Sequence, residues 1–108
     1  MTFDEYAVEA FRTNNRDGDR EKRMMVMALG LAGEAGEVAD LIKKAVGHGH
    51  ELDLEKLKKE LGDCLWYIAA LSEFAGVTLA DVAEANIEKL RKRYPDGFSH
   101  EASRGRTE

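Results

Sequence analysis

The chain has 108 residues, enough for one small domain, and 44% hydrophobic with 34% charged residues and a single proline is the composition of a folded helical protein, not a disordered one. Twenty-one acidic against 16 basic residues leave a net charge of -5, which argues against a surface built for nucleic acid. A single cysteine, Cys64, excludes an intrachain disulfide, and neither a signal-peptide pattern at Met1–Glu5 nor an apolar run near about twenty residues is present, so a cytoplasmic protein with no membrane partner is expected.

In chain order, Thr2 with Glu5 makes a capping box, and Phe3, Tyr6, Ala7, Ala10 and Phe11 follow at helical spacing, predicting a short first helix that ends near Asn14. The run Asn14-Asn15-Arg16-Asp17-Gly18-Asp19 is turn chemistry, with Asp19 placed as a cap. A long second helix is predicted from about Arg20 to about Val46, its buried stripe formed by Met24, Met27, Leu31, Ala35, Val38, Ile42 and Ala45. Gly30, Gly33 and Gly36 each cost about 1 kcal/mol relative to Ala inside a helix, which calls for close approach of another helix or of a ligand. Gly47-His48-Gly49-His50 ends this helix, and its two histidines read as solvated loop residues.

Asp53 opens a third helix, stapled by Leu52 and Leu57, with Leu57, Leu61, Cys64, Leu65, Ile68 and Ser72 along its stripe. From Cys64 to Leu71 no residue is charged, so several sides of this helix must be covered. Cys64 itself reads as a small core residue. Gly76 stops the helix, and Thr78 with Asp81 caps a fourth whose core face is Leu79, Val82, Ala83, Ile87 and Leu90. Pro95-Asp96-Gly97 ends it in a turn. The fold class is therefore all-α: a four- to five-helix antiparallel bundle completed by homo-oligomerisation, one domain over residues 1–98, and a polar, flexible tail over 99–108.

The candidate chemistry lies in two acidic pairs. At about 100° per residue, Glu34 and Glu37 border the stripe of the second helix, and Glu60 and Asp63 border that of the third in the same manner. A lone pair of glutamates at this spacing is usually a solvated face, but two matching pairs on successive helices could converge. Four facing carboxylates repel strongly without a cation between them. All-oxygen ligands suit magnesium, or manganese, whereas a zinc site would recruit His or Cys. A di-iron bundle would need Glu-x-x-His pairs, which are absent.

The pattern Glu34-Ala35-Gly36-Glu37 and Glu60-Leu61-Gly62-Asp63, with Gly33 and Val38 around the first pair, Leu65 and Tyr67 after the second, and Asn86-Ile87-Glu88-Lys89-Leu90 through Arg93-Tyr94-Pro95-Asp96-Gly97-Phe98 at the close, resembles the MazG-like nucleoside triphosphate pyrophosphohydrolases. The resemblance implies cleavage between the α- and β-phosphates to give a nucleoside monophosphate and pyrophosphate, with nucleotide-pool housecleaning as the role. It implies that Glu34, Glu37, Glu60 and Asp63 are catalytic and hold the metal, Glu34 or Glu37 being candidates to orient the attacking water. Lys89, Arg93 and Asn86 along one edge of the fourth helix, and Lys43 or Lys44, are phosphate-gripping candidates. Tyr67 projects between Glu60 and Asp63 and is a candidate base or sugar contact; Trp66 is a weaker one, read first as packing. The implied assembly is a homodimer or homotetramer. The competing readings are a non-catalytic helical interaction module, or a related dUTP or phosphoribosyl-ATP pyrophosphohydrolase.

Overall fold

A computed structural model describes residues 1–106, and the last two positions of the expected tail lie outside the described residues. Five helices follow one another: α1 (Phe3–Ala10), α2 (Arg20–Gly47), α3 (Leu54–Ala75), α4 (Leu79–Arg93) and α5 (His100–Arg104). A 3₁₀ turn over Phe11–Thr13 extends α1 to the expected limit. Each start carries the cap that its sequence specifies. Thr2 and Glu5 bond reciprocally, Asp19 accepts from the Lys22 N–H, Asp53 accepts from the Lys56 N–H, and Thr78 and Asp81 form a second capping box. Gly76 closes α3 with φ of 76°, the left-handed conformation that glycine adopts without steric penalty.

The long pair α2 and α3 organises the molecule. Met27 shares a cavity wall with Ala70, Gly30 meets the Tyr67 ring, and Glu34 meets Asp63, so residue numbers fall along α3 as they rise along α2 and the pair is antiparallel. Two ties fix this register at the open end. Arg20 and Arg23 place their guanidinium groups 4.5 and 5.2 Å from the Phe74 ring centroid, and Arg20 also donates to the Phe74 carbonyl at 3.2 Å. Arg16 pairs with Glu73 at 3.2 Å. Trp66 joins α3 to the end of α1, its Nε1–H donating to the Ala10 carbonyl and the Thr13 hydroxyl at 3.1 Å each.

The expected bundle is antiparallel throughout, but α4 leaves α3 at 96° and packs against α1 and the end of α3. The core is accordingly thin. Met27, Ala69, Ala70 and Leu79 are its buried apolar residues, joined by Ser72, whose hydroxyl donates to the Ile68 carbonyl at 2.8 Å. Several residues expected in the buried stripes are open instead, among them Met24, Ala35, Ile42, Ile68, Val82 and Ala83, with Leu61 at 51% and Ile87 at 45% exposure. One chain does not contain enough apolar surface opposite these faces to cover them. No single helix is long and apolar enough to cross a membrane. The tail also differs from the sequence reading: Ser99 accepts from the Ala102 N–H and starts α5, a cap that a polar run concealed.

The glycines of α2 separate into two kinds. A Cβ on Gly30 would lie 2.3 Å from the Tyr67 ring, whereas a Cβ on Gly33 or Gly36 would meet nothing within 4 Å. The close approach expected for all three is thus met within the chain by Gly30 alone. Gly33→Ala and Gly36→Ala should each raise stability by up to about 1 kcal/mol through helix propensity. Gly30→Ala should lower it by about 1–3 kcal/mol, because the ring has to be displaced. Urea denaturation of the three variants measures the contrast, and a stabilised Gly30→Ala would contradict the packing described.

Candidate active site

The acids come together because of helix register. Glu34 sits on α2 one turn beyond the Gly30–Tyr67 contact, and Asp63 sits on α3 one turn before it, so closing the glycine contact brings the two carboxylates to the same level. Glu60, one further turn back along α3, completes the group. One oxygen from each of Glu34, Glu60 and Asp63 lies within 4.8 Å of the others, with Glu34 and Glu60 half-buried and Asp63 exposed.

Their electrostatics show what such closeness costs. Burial pushes the Glu34 carboxyl above the ordinary glutamate value of 4.5, and the negative charges of Asp63, Glu60 and Glu37 push it in the same direction. A side-chain hydrogen bond with Glu60 acts on Glu34 in the same direction. A divalent cation held between the three acids would relieve this repulsion. Magnesium takes oxygen ligands at about 2.0–2.1 Å, which puts opposite ligand atoms roughly 4 Å apart. Small side-chain rotations would bring the three oxygens to that spacing, and the all-carboxylate donor set is that of a hard cation.

The other sequence candidates fall in several places. Glu37 is exposed and lies outside the three-acid group, although its charge acts on both Glu34 and Lys44. Lys43 and Lys44 both pair with Asp40, at 3.2 and 2.9 Å, and this arrangement raises Lys44 and lowers Asp40 from their ordinary values. Asn86 and Lys89 are exposed on α4, with no hydrogen bond or ion pair to the three acids among the described residues. Arg93 is half-buried at the end of the same helix.

Tyr67 and Trp66 meet edge to face with ring centroids 5.0 Å apart. Both line a cavity of about 380 Å³ between the α1–α2 loop and the long helix pair. Trp66 has two roles here, since it is also the tie to α1 that its apolar surroundings predict. Asn14, Asp17, Lys22 and Arg23 belong to the same wall, and none was picked out from sequence. The loop there reads as a turn until the folded chain lays it across α3. Tyr6, one of the helically spaced residues of α1, lies in a mixed environment: burial raises its hydroxyl above the ordinary value of 10.0, and the Asp63 charge adds to that. Only the folded position of α1 brings Tyr6 to the acids.

Comparison with known proteins agrees with this arrangement. The family described as the MazG nucleotide pyrophosphohydrolase domain matches residues 23–98, a span that holds both acidic pairs and all of α3 and α4. "Gene 37 protein" of Mycobacterium phage L5 is 35% identical over 85 residues, an alignment that covers 75% of this chain and 75% of that protein. No solved structure matches. With the family matched across most of its length and the phage relative alongside, the chain belongs to the MazG nucleotide pyrophosphohydrolase family.

Proposed function

We propose that the protein is a magnesium-dependent nucleoside triphosphate pyrophosphohydrolase, with manganese as an alternative ion, that releases a nucleoside monophosphate and pyrophosphate and serves nucleotide-pool housecleaning in the cytoplasm. The observation that carries this reading is the three-acid group, in which burial and the neighbouring carboxylates raise the Glu34 carboxyl above its ordinary value. Glu34, Glu60 and Asp63 would hold the ion, which supplies charge neutralisation at phosphate oxygens and acidifies a water. Glu37, exposed and one turn further along α2, has its carboxylate free to accept a proton of the attacking water and orient it. Tyr67 offers its ring to the sugar or base, and the cavity behind it has room for the nucleoside.

Asn86, Lys89 and Arg93 on α4, with Lys43 after release from Asp40, are the proposed phosphate contacts. The open apolar positions on α3 and α4, Leu61, Ile68, Val82 and Ile87, support a homodimer or homotetramer in which a second copy covers them. Sedimentation should accordingly give a mass above that of one chain.

Catalysis is tested by incubating a nucleoside triphosphate panel with magnesium and assaying pyrophosphate and orthophosphate separately. Pyrophosphate should be the product. Glu34→Gln, Glu60→Gln and Asp63→Asn should each lower turnover beyond the roughly 10–100-fold that outer partners of a metal ligand cost. A folded chain that turns over no member of a broad panel would sink the reading in favour of a non-catalytic module.

The ion is tested by stability. Magnesium at about 100 times its Kd should add about 2.7 kcal/mol, seen as a rise in Tm, and Glu34→Gln should remove most of the response. The ion-free chain should also show a characteristic pH dependence. Because the folded Glu34 pKa is raised, the native state binds more protons than the unfolded state, so stability falls as pH rises from about 4.5 through the folded value. Glu34→Gln should flatten that decline in a pH series of melting curves.

A further inference from the structure

The cavity behind Tyr67 contains groups that phosphate chemistry does not use. Val26, Met27, Trp66 and Tyr67 make part of its lining apolar and aromatic, while Asp17, Lys22 and Arg23 bring charges of both signs to it. The Arg23 Nε is buried without a hydrogen-bond partner among the described residues, although its guanidinium stacks on Phe74. A buried donor left unmatched is costly, and it points to an acceptor that a ligand would bring. Asp17 is held by its own turn, where its N–H donates to the Asn15 side chain at 2.9 Å. No hydrogen bond or ion pair engages its carboxylate among the described residues.

Resting on the nucleotide reading above, we propose that this cavity selects guanine: Arg23 donates to O6 and N7, and the Asp17 carboxylate accepts from N1–H and the 2-amino group. The chemistry singles out that base. A carboxylate only accepts and a guanidinium only donates, so the pair requires a ligand with two adjacent donors beside an acceptor edge. Adenine carries one exocyclic amino donor and no carbonyl, cytosine one amino donor, and thymine a single N–H between two carbonyls. Guanine alone offers the full set. About 380 Å³ accommodates a bicyclic base stacked on the aromatic wall. Tyr67 stands one helical turn, about 6 Å, from Asp63, so a base seated there leaves its phosphates at the acids.

Trp66 is the only tryptophan and lines the cavity, so its emission reports occupancy without metal or turnover. Titration with dGMP, dIMP, dAMP, dCMP and dTMP in the presence of a chelator should show dGMP bound about tenfold or more tighter than the adenine, cytosine and thymine nucleotides. The inosine nucleotide, which lacks the 2-amino group, should fall between. Asp17→Asn, an isosteric change in an exposed turn, should weaken dGMP about tenfold and erase its advantage over dIMP. Arg23→Lys, which keeps the charge and loses the fork, should weaken both.

Equal binding of all five, preference for another base, or an unchanged dGMP affinity in Asp17→Asn would each overturn the proposal. The two readings fail separately. Pyrophosphate release with no base preference removes the guanine assignment alone, while guanine-selective binding with no turnover supports that assignment and removes the proposed activity.

Discussion

Three carboxylates from two helices meet within 4.8 Å of one another, and their mutual repulsion has to be answered by a proton or a cation. Burial and the charges of Asp63, Glu60 and Glu37 raise the Glu34 carboxyl accordingly. What holds the acids together against that repulsion is the packing one turn away. The Tyr67 ring lies against the bare backbone of Gly30, and this close approach sets the distance between α2 and α3 at the level of the site. The clamps of Arg20 and Arg23 on Phe74 and the ion pair of Arg16 with Glu73 stop the register from slipping at the far end. Strain at the acids is thus offset by cation–π and ring-to-backbone contacts that take no part in the chemistry.

The same closeness explains the thin core. Helices that approach through Gly30, Ala69 and Ala70 cannot also enclose large side chains between them, and Met27 is the largest residue buried there. Leucines and isoleucines are displaced to the outer faces of α3 and α4, where Leu61 and Ile87 remain half open. A small chain gains little stability from such a core. A second copy covering those faces, as proposed, would supply the missing burial, so the tight site and the proposed assembly would have one physical origin.

Much of this was legible in the sequence, for reasons that can be named. Capping boxes at Thr2 and Thr78, the caps at Asp19 and Asp53, and the stop at Gly76 are local rules, and each holds within a residue or two. The convergence of Glu34 with Glu60 and Asp63 follows from equal spacing on two neighbouring helices, and only the register had to be supplied. Glu37, one turn further along α2, is exposed and lies outside the three-acid group, which the spacing alone did not reveal. The perpendicular course of α4, the cap at Ser99 and the role of the Asn14–Gly18 loop were not legible. A crossing angle depends on which side chains interlock. A polar loop likewise acquires meaning only from the surface it lies on.

The charges on the two sides of Tyr67 are opposite, and this has a consequence for the order of events. The acids Glu34, Glu60 and Asp63 lie on one side, and Lys22 and Arg23 line the cavity on the other. In the proposed enzyme, a triphosphate would be repelled from the acids until a cation neutralises them. A cation held by the acids would remove that repulsion and draw the phosphates to the acidic end, leaving the cavity for the base. On the proposed function, the acids would thus place the phosphates only once the ion is bound, while the cavity would place the base independently of it.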